Sequence, residues 1–314
     1  MPIRKHGSAS GAKAPADHEG SKVYEMVTKR ILQTMMRGEI PWRNIWTARG
    51  KKHPYTNYVT GRPYQSLLNM MLLGEPGEYA TMNQINVRGG HLQKGSKGKL
   101  VIYWGEYIPK DRKEEAKRLK EEGKDFSHLK VHFPKYYYVY NVKDAVGLKP
   151  KEEAAPETVA AEDPTDIVRM AVDDYTVNEQ VRIETAADTP PSYSAVTDTV
   201  TMPDKNDFTF EEDYYASLCE QLVHSTAAEG RCDRKKEYGR LQDGEMSVKE
   251  ELIAEIGASM ILTVAGMKRS ETHEQLAAVC QRWIEEFNRD YRLVVNASSG
   301  AEKAAKLILG QFAA

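Results

Sequence analysis

Residues 149–163, KPKEEAAPETVAAED, hold no apolar side chain larger than a single valine. A segment that cannot bury surface, placed near the middle of a 314-residue chain, separates an N-terminal half from a C-terminal one. Each half is long enough to build a core of its own. The halves also differ in charge: the first 150 residues carry 27 Lys and Arg against 14 Asp and Glu, and the rest carry 17 against 32, a split hidden by the net charge of −2. A basic body is the footprint of a polyanionic partner, whereas an acidic one repels nucleic acid. The predicted organisation is a tail over 1–20, a basic module over 21–148, an acidic linker over 149–163 and a second domain over 164–314. The tail, rich in Gly, Ala, Ser and Lys with no apolar period, is expected to be disordered.

Hydrophobic content of 40% with 29% charged residues is that of a globular chain. The longest apolar runs, 67–73 and 260–265, fall well short of the roughly 20 residues a membrane span needs. No leader peptide is visible, so a cytoplasmic location without membrane contact is expected. Cys219, Cys232 and Cys280 show no CxxC spacing and are expected to be reduced thiols.

Apolar residues at helical spacing predict a first helix from Ser21, stopped by Gly38, and further helices over 64–73 and 81–88. Gly-rich turns bracket a strand over 99–107, a charged helix fills 111–125, and a second strand covers 133–142. Beyond the linker, a helix around 167–172, a strand over 180–184 and an exposed strand pair within 191–203 lead into three helices over 210–226, 248–266 and 273–291. A last short helix covers 300–312.

In the basic half, Lys and Arg are interleaved with rings. IPWRNIW (40–46) supplies Trp42, Arg43 and Trp46; KKHPYTNYVTGRPY (51–64) supplies Lys51, Lys52, Tyr55, Arg62 and Tyr64. KGSKGK (94–99) adds Lys94, Lys97 and Lys99, and YYYVY (136–140) adds Tyr137. Cations that track phosphates beside flat rings that stack on unpaired bases are the elements of single-strand recognition. Any one of these rings taken alone reads more readily as a framework residue.

Taken in order, IPWRNIW, GRPYQSLLNMMLL, GGHLQKGSKGKLVIYW and YYYVYNVKDAVGL resemble the N-terminal single-stranded-DNA-binding domain of ArdC-type antirestriction proteins. PSYSAVTDTVTMP, YYASLCEQLVHST, KEELIAEIGAS and AEKAAKLILG resemble the zincin-like metallopeptidase domain that forms the second part of that family's members, so the resemblance spans about residues 21–312. It implies an α+β fold in two domains, a basic DNA-binding module and a zincin-like helical domain with a small sheet. The implied role is antirestriction for a mobile, conjugative element, with incoming single-stranded DNA as the partner.

Members of that family usually carry His-Glu-Leu-x-His-Ser-Thr after paired tyrosines. Here Tyr214 and Tyr215 precede Glu220 at the first histidine, Gln221 at the catalytic glutamate and His224 at the second histidine. Positions i and i+4 share a helical face and a carboxylate is a permissible zinc ligand, so Glu220 and His224 remain a candidate pair. Glu251 fits the family's downstream glutamate, with Glu255 one turn on. Zinc is the expected cofactor, weakly held or absent. An amide at 221 can neither take a proton from water nor return it, so no catalytic residue is assigned and the domain is expected to lack peptidase activity. Two other readings stay open: a metal-dependent hydrolase using Glu220, His224 and Glu251 with another base, and a cleft that docks a host protein such as a restriction enzyme. His224 alone also reads as an ordinary helix histidine, and Glu251 with Glu255 as a salt-bridged face.

Overall fold

The computed structural model describes residues 15–43, 54–64, 66–150 and 163–313. Helix α1 (Pro15–Met35) begins six residues earlier than the apolar period alone suggests, and residues 1–14 of the expected tail lie outside the described residues. Its Val23, Val27, Ile31 and Met35 repeat every four residues and are all buried, one stripe aimed at the core. A short 3-10 turn at Pro41–Arg43 comes after it.

Strand β1 (Tyr55–Asn57), helix α2 (Leu67–Leu73), strand β2 (Gly77–Ala80), helix α3 (Met82–Val87) and strand β3 (His91–Leu92) come next. Strands β4 (Lys99–Tyr107) and β5 (Val131–Asn141) form a long antiparallel hairpin that carries helix α4 (Lys113–Glu121) in its loop, and β6 (Ala145–Val146) pairs with β3. The main sheet has the order β1-β2-β5-β4, which leaves β4 at an edge. At Ile102 that edge is capped by a side chain: Asn69 of α2 donates to the Ile102 carbonyl at 2.9 Å and accepts from the Ile102 N–H at 2.8 Å. An amide satisfies both backbone groups as a neighbouring strand would.

The second half opens with α5 (Pro164–Glu179), whose Asp163 caps the helix by accepting from Thr165 N–H. Strands β7 (Arg182–Thr185), β8 (Ser192–Ser194) and β9 (Thr199–Met202) form a small sheet in the order β7-β9-β8. Of the strand pair expected to be exposed, β9 is central and mostly buried. Helices α6 (Glu211–Ser225), α7 (Lys235–Gln242), α8 (Val248–Ala265), α9 (His273–Arg289) and α10 (Leu293–Leu309) complete the chain. α7 has no counterpart among the helices expected from the apolar pattern, and α10 starts seven residues before the expected 300. Among the described residues no helix is long and apolar enough to cross a membrane.

The buried residues of the two halves form one continuous cluster, where two separate cores were expected. Trp42, fully buried, meets Trp283 and Phe287 of α9 edge-on, with ring centroids 6.5 and 6.2 Å apart. Its indole N–H donates to Glu255 Oε1 at 3.2 Å, and Arg43 donates to the same oxygen at 2.9 Å. On α2, the N–H of Leu67, one of the groups a helix start leaves without an internal partner, donates to Glu302 of α10 at 3.0 Å. Thr28 of α1 donates to the Tyr291 carbonyl at 2.5 Å. The linker lacks large apolar residues, but the bodies it joins do not.

Candidate functional site

The ring-and-cation stretches divide sharply by burial. Trp42 and Tyr55 are 0% exposed and Tyr64 is 8% exposed, so none of them offers a face to a base. Arg43 is spent on Glu255 and Glu271. These four belong to the framework. Trp46, Lys51 and Lys52 lie outside the described residues. Arg62, Lys94 and Lys97 are exposed. Lys99 is half-buried, and that burial lowers its pKa. Tyr137 is half-buried against Tyr103, ring centroids 5.8 Å apart; burial foremost, with Tyr64 and Tyr103 beside it, pushes its hydroxyl up to about 12.

Of the open rings, Tyr138 lies in the YYYVY stretch beside the predicted Tyr137, whereas Tyr103 and Trp104 are not among the predicted residues. Trp104 is 52%, Tyr103 47% and Tyr138 46% exposed. Along a strand, alternate residues face opposite ways, and in this hairpin Leu100 stands opposite Tyr138, Ile102 opposite Tyr136 and Trp104 opposite Pro134. Tyr138, Tyr136 and Trp104 therefore share one face. Tyr136 and Tyr138 meet edge-on at 5.9 Å. α1 packs beside the same face, where Lys29, Arg30 and Gln33 border a cleft of about 200 Å³ with Gly98 and Tyr138. The exposed Lys94 and Lys97 sit on the turn leading to Gly98. Helix α1 and the KGSKG turn thus set cations at one end of an aromatic strip. The signal for Trp104 is hidden because LVIYW is apolar throughout, so no alternation shows which residues lie past the helices that cover the sheet.

The predicted metal ligands are not brought together. Glu220 accepts from Arg269 at 2.5 Å, and Glu251 pairs with Arg282. Glu255 accepts from Trp42, Arg43 and, at 2.5 Å, the Trp283 indole. His224, buried, has Nδ1 at 3.2 Å from Glu250 Oε1, and Arg234 holds that carboxylate with two nitrogens at 2.6 and 3.1 Å. Glu250 is not among the candidates read from the motif, yet it is the carboxylate that faces His224. Arg269 is held above its ordinary pKa: burial works against the charge, but Glu220, Glu255 and Glu271 outweigh it. Cys219, one residue before Glu220, is a buried thiol pushed up to about 12 by that burial. Among the described residues no group of three or more His, Cys, Asp or Glu is placed to hold a metal ion. Each candidate carboxylate already faces a guanidinium, so the donor set as arranged does not fit a metal. Arg269, Arg282 and Arg234 lie outside the motif in chain order, and no local pattern marks them.

Between β8 and β9, Asp198 accepts from the Tyr193 hydroxyl at 2.8 Å. Arg231 donates to the same carboxylate at 2.9 Å and to the Glu179 carbonyl at 2.8 Å. Burial works to raise the Asp198 pKa, but the hydrogen bonds from Arg231 and Tyr193 hold it below the ordinary value.

Both halves of the chain resemble known proteins. Residues 21–140 match the N-terminal domain of anti-restriction factor ArdC, and residues 170–300 match a zincin-like metallopeptidase domain. The metal-free crystal structure of the antirestriction protein ArdC from plasmid R388 superposes with a TM-score of 0.62 at 27% identity, covering 93% of this chain and 98% of that one. The Mn(II)-bound structure of the same protein gives 0.61 at 26% identity, with the same coverage. A DNA primase TraC of Escherichia coli is 27% identical over 298 residues, which is 91% of this chain but 20% of the primase. A second TraC from the same organism is 27% identical over 299 residues, 27% of its length. The chain thus spans only about a fifth to a quarter of those relatives. Uncharacterized protein y4eC of Sinorhizobium fredii (strain NBRC 101917 / NGR234) is 24% identical over 301 residues, 90% of each chain.

Proposed function

Because the chain belongs to the ArdC type, an ArdC N-terminal domain joined to a zincin-like domain, we propose that it binds single-stranded DNA in an antirestriction role for a mobile element. The observation that carries this reading is the strip of Tyr138, Tyr136 and Trp104 on one face of the β4–β5 hairpin, with Lys29, Arg30, Lys94 and Lys97 at one end. Bases that are unpaired have free π faces for such a strip, and duplex DNA does not. The lysines and arginines neutralise phosphates without reading sequence. The zincin-like domain acts here as a scaffold without peptidase chemistry: position 221 carries an amide, and the carboxylates around it are held by arginines.

The test is fluorescence anisotropy of a labelled oligothymidine and of a duplex of equal length, each titrated at several salt concentrations. The single strand should bind more tightly, with log affinity falling linearly as log salt rises, by a slope of about −0.7 for each phosphate neutralised. Equal affinity for the duplex, or affinity indifferent to salt, would refute the proposal. Metal analysis of the purified protein with a peptidase assay tests the second clause, and hydrolysis that a chelator abolishes would refute it.

A further inference from the structure

We infer that the cleft between α1 and the β4–β5 hairpin is a nucleobase pocket, which takes one base of a bound single strand with its edge toward Gln33 and makes binding sensitive to base identity at that one position. This rests on the single-strand reading above and adds to it: the aromatic strip accepts any base, and the pocket discriminates. The cleft has a volume of about 200 Å³, with Met26, Lys29, Arg30 and Gln33 on its α1 side and Gly98, Leu100 and Tyr138 on the other. That is below the roughly 300 Å³ at which drug-sized sites begin, and it suits a single flat ring system.

The walls follow from the helix and strand periods. Met26, Lys29, Arg30 and Gln33 stand at i, i+3, i+4 and i+7, so one stripe of α1 presents them together, beside the stripe of Val23, Val27 and Ile31 that faces the core. Met26 packs partly against that core and Leu100 is buried, which gives the cleft an apolar lining. Tyr138, half-exposed, adds a ring. Gly98 does not have a positive φ, yet a β-carbon there would stand 3.2 Å from Tyr138 Cδ1 and 3.4 Å from Tyr140 Cζ. Any side chain at 98 would press on the ring that the base stacks on. Tyr136 meets Tyr138 at 5.9 Å, so the pocket lies at the end of the strip and one strand of DNA reaches both.

The polar groups are unspent. Among the described residues the side chains of Lys29, Arg30 and Gln33 make no hydrogen bond or ion pair, and the side-chain donors that reach 30 and 33 meet their backbone carbonyls. No carboxylate lines the cleft, so both cations are open to the phosphates that flank the base. Lys99 stands nearby: burial lowers its pKa, Glu75 opposes that, and Arg30 and Lys143 add to it, which marks how closely cations crowd this end of the sheet. Gln33 is the group that phosphate does not explain. Lys and Arg only donate, whereas an amide both donates and accepts, and a phosphate diester offers acceptors alone. A base edge displays donors and acceptors in an order set by its identity, and matches both halves of the amide.

The test titrates the full chain, carrying carbon-13 in its methionine methyls, with oligothymidine and with an abasic strand of the same length and charge. The Met26 methyl signal, assigned through Met26→Leu, should shift with oligothymidine under the ring current of the base and stay in place with the abasic strand, which brings the phosphates alone. In anisotropy titrations with homo-oligomers of thymidine, deoxycytidine and deoxyadenosine, Gln33→Ala should change the ratios of the three affinities by about two- to tenfold, the worth of one hydrogen bond. Trp104→Ala should weaken all three by a common factor, since stacking tolerates any base. Gln33 is exposed on a helix and alanine is the better helix former, so that variant keeps its fold. Oligothymidine that binds without moving the Met26 methyl, an abasic strand that moves it equally, or unchanged ratios in Gln33→Ala would each overturn the pocket and leave the single-strand reading standing. Failure of every strand to bind would overturn both.

Discussion

Trp42 and Trp104 are the same side chain in opposite circumstances, one fully buried between Glu255, Trp283 and Phe287, the other half open on an edge strand. Trp42→Ala should cost about 3–5 kcal/mol of stability, as large aromatic truncations in cores do, and a urea melt would record it. Trp104→Ala should leave that melt unchanged and weaken oligothymidine binding by roughly 1–3 kcal/mol, the worth of one stacked base. The motif residues pose a sharper test. Glu220→His with Gln221→Glu restores the letters of a zinc helix, but it leaves the Arg269 cation at position 220. A chelator competition should therefore show no tight zinc binding by this double variant while Arg269 remains. The motif itself is legible because its spacing is local. The arginines that answer it are not, since Arg234, Arg269 and Arg282 reach it only through the tertiary fold. Trp42 misleads for a related reason: a ring beside a basic residue looks the same in sequence whether it stacks on a base or on another helix.

At the scale of elements, close helix approach rests on small residues. A β-carbon added at Gly257 of α8 would sit 2.9 and 3.2 Å from the two γ-methyls of Val223 on α6. Gly257→Ala gains up to about 1 kcal/mol of helix propensity. Forcing a stiff valine aside costs about 1–3 kcal/mol, so the variant should be net destabilised in a urea melt. Gly300 plays the same part in α10, where an added β-carbon would meet Ile253 Cδ1 at 3.0 Å. α10 runs through Asn-Ala-Ser-Ser-Gly (296–300), ahead of the expected start at 300, and the small side chains there let it lie against α8. β4 is legible to the residue because glycine turns bracket it, whereas α7 has too weak an apolar stripe to declare itself. The turn between β8 and β9 adds a pH signature. Asp198 is held below the ordinary carboxylate pKa, so its contribution to stability is present above about pH 4 and is lost as pH falls through the folded value. Asp198 has φ of +52°, a conformation asparagine tolerates. Asp198→Asn should therefore be less stable than the parent at pH 7, and the difference in urea midpoint should shrink toward pH 3.

For the whole molecule, the linker suggests two independent bodies, and the seam argues for coupling. Trp42, Arg43, Leu67 and Thr28 all bond to residues beyond 250, and a single buried cluster runs through both halves. Calorimetry should show one cooperative transition, and two well-separated transitions would contradict this packing. The charge asymmetry read from the sequence keeps its meaning in this frame, since the coupled halves still present opposite charge, and only the basic one suits DNA. Ultraviolet crosslinking of bound oligothymidine to the full chain, with mass-spectrometric mapping of the adducts, tests the central claim most directly. Crosslinks should fall on Trp104, Tyr136 and Tyr138 and vanish when Lys29 and Arg30 are both changed to Glu; crosslinks confined to the helices after residue 164, or none on the β4–β5 hairpin, would contradict it.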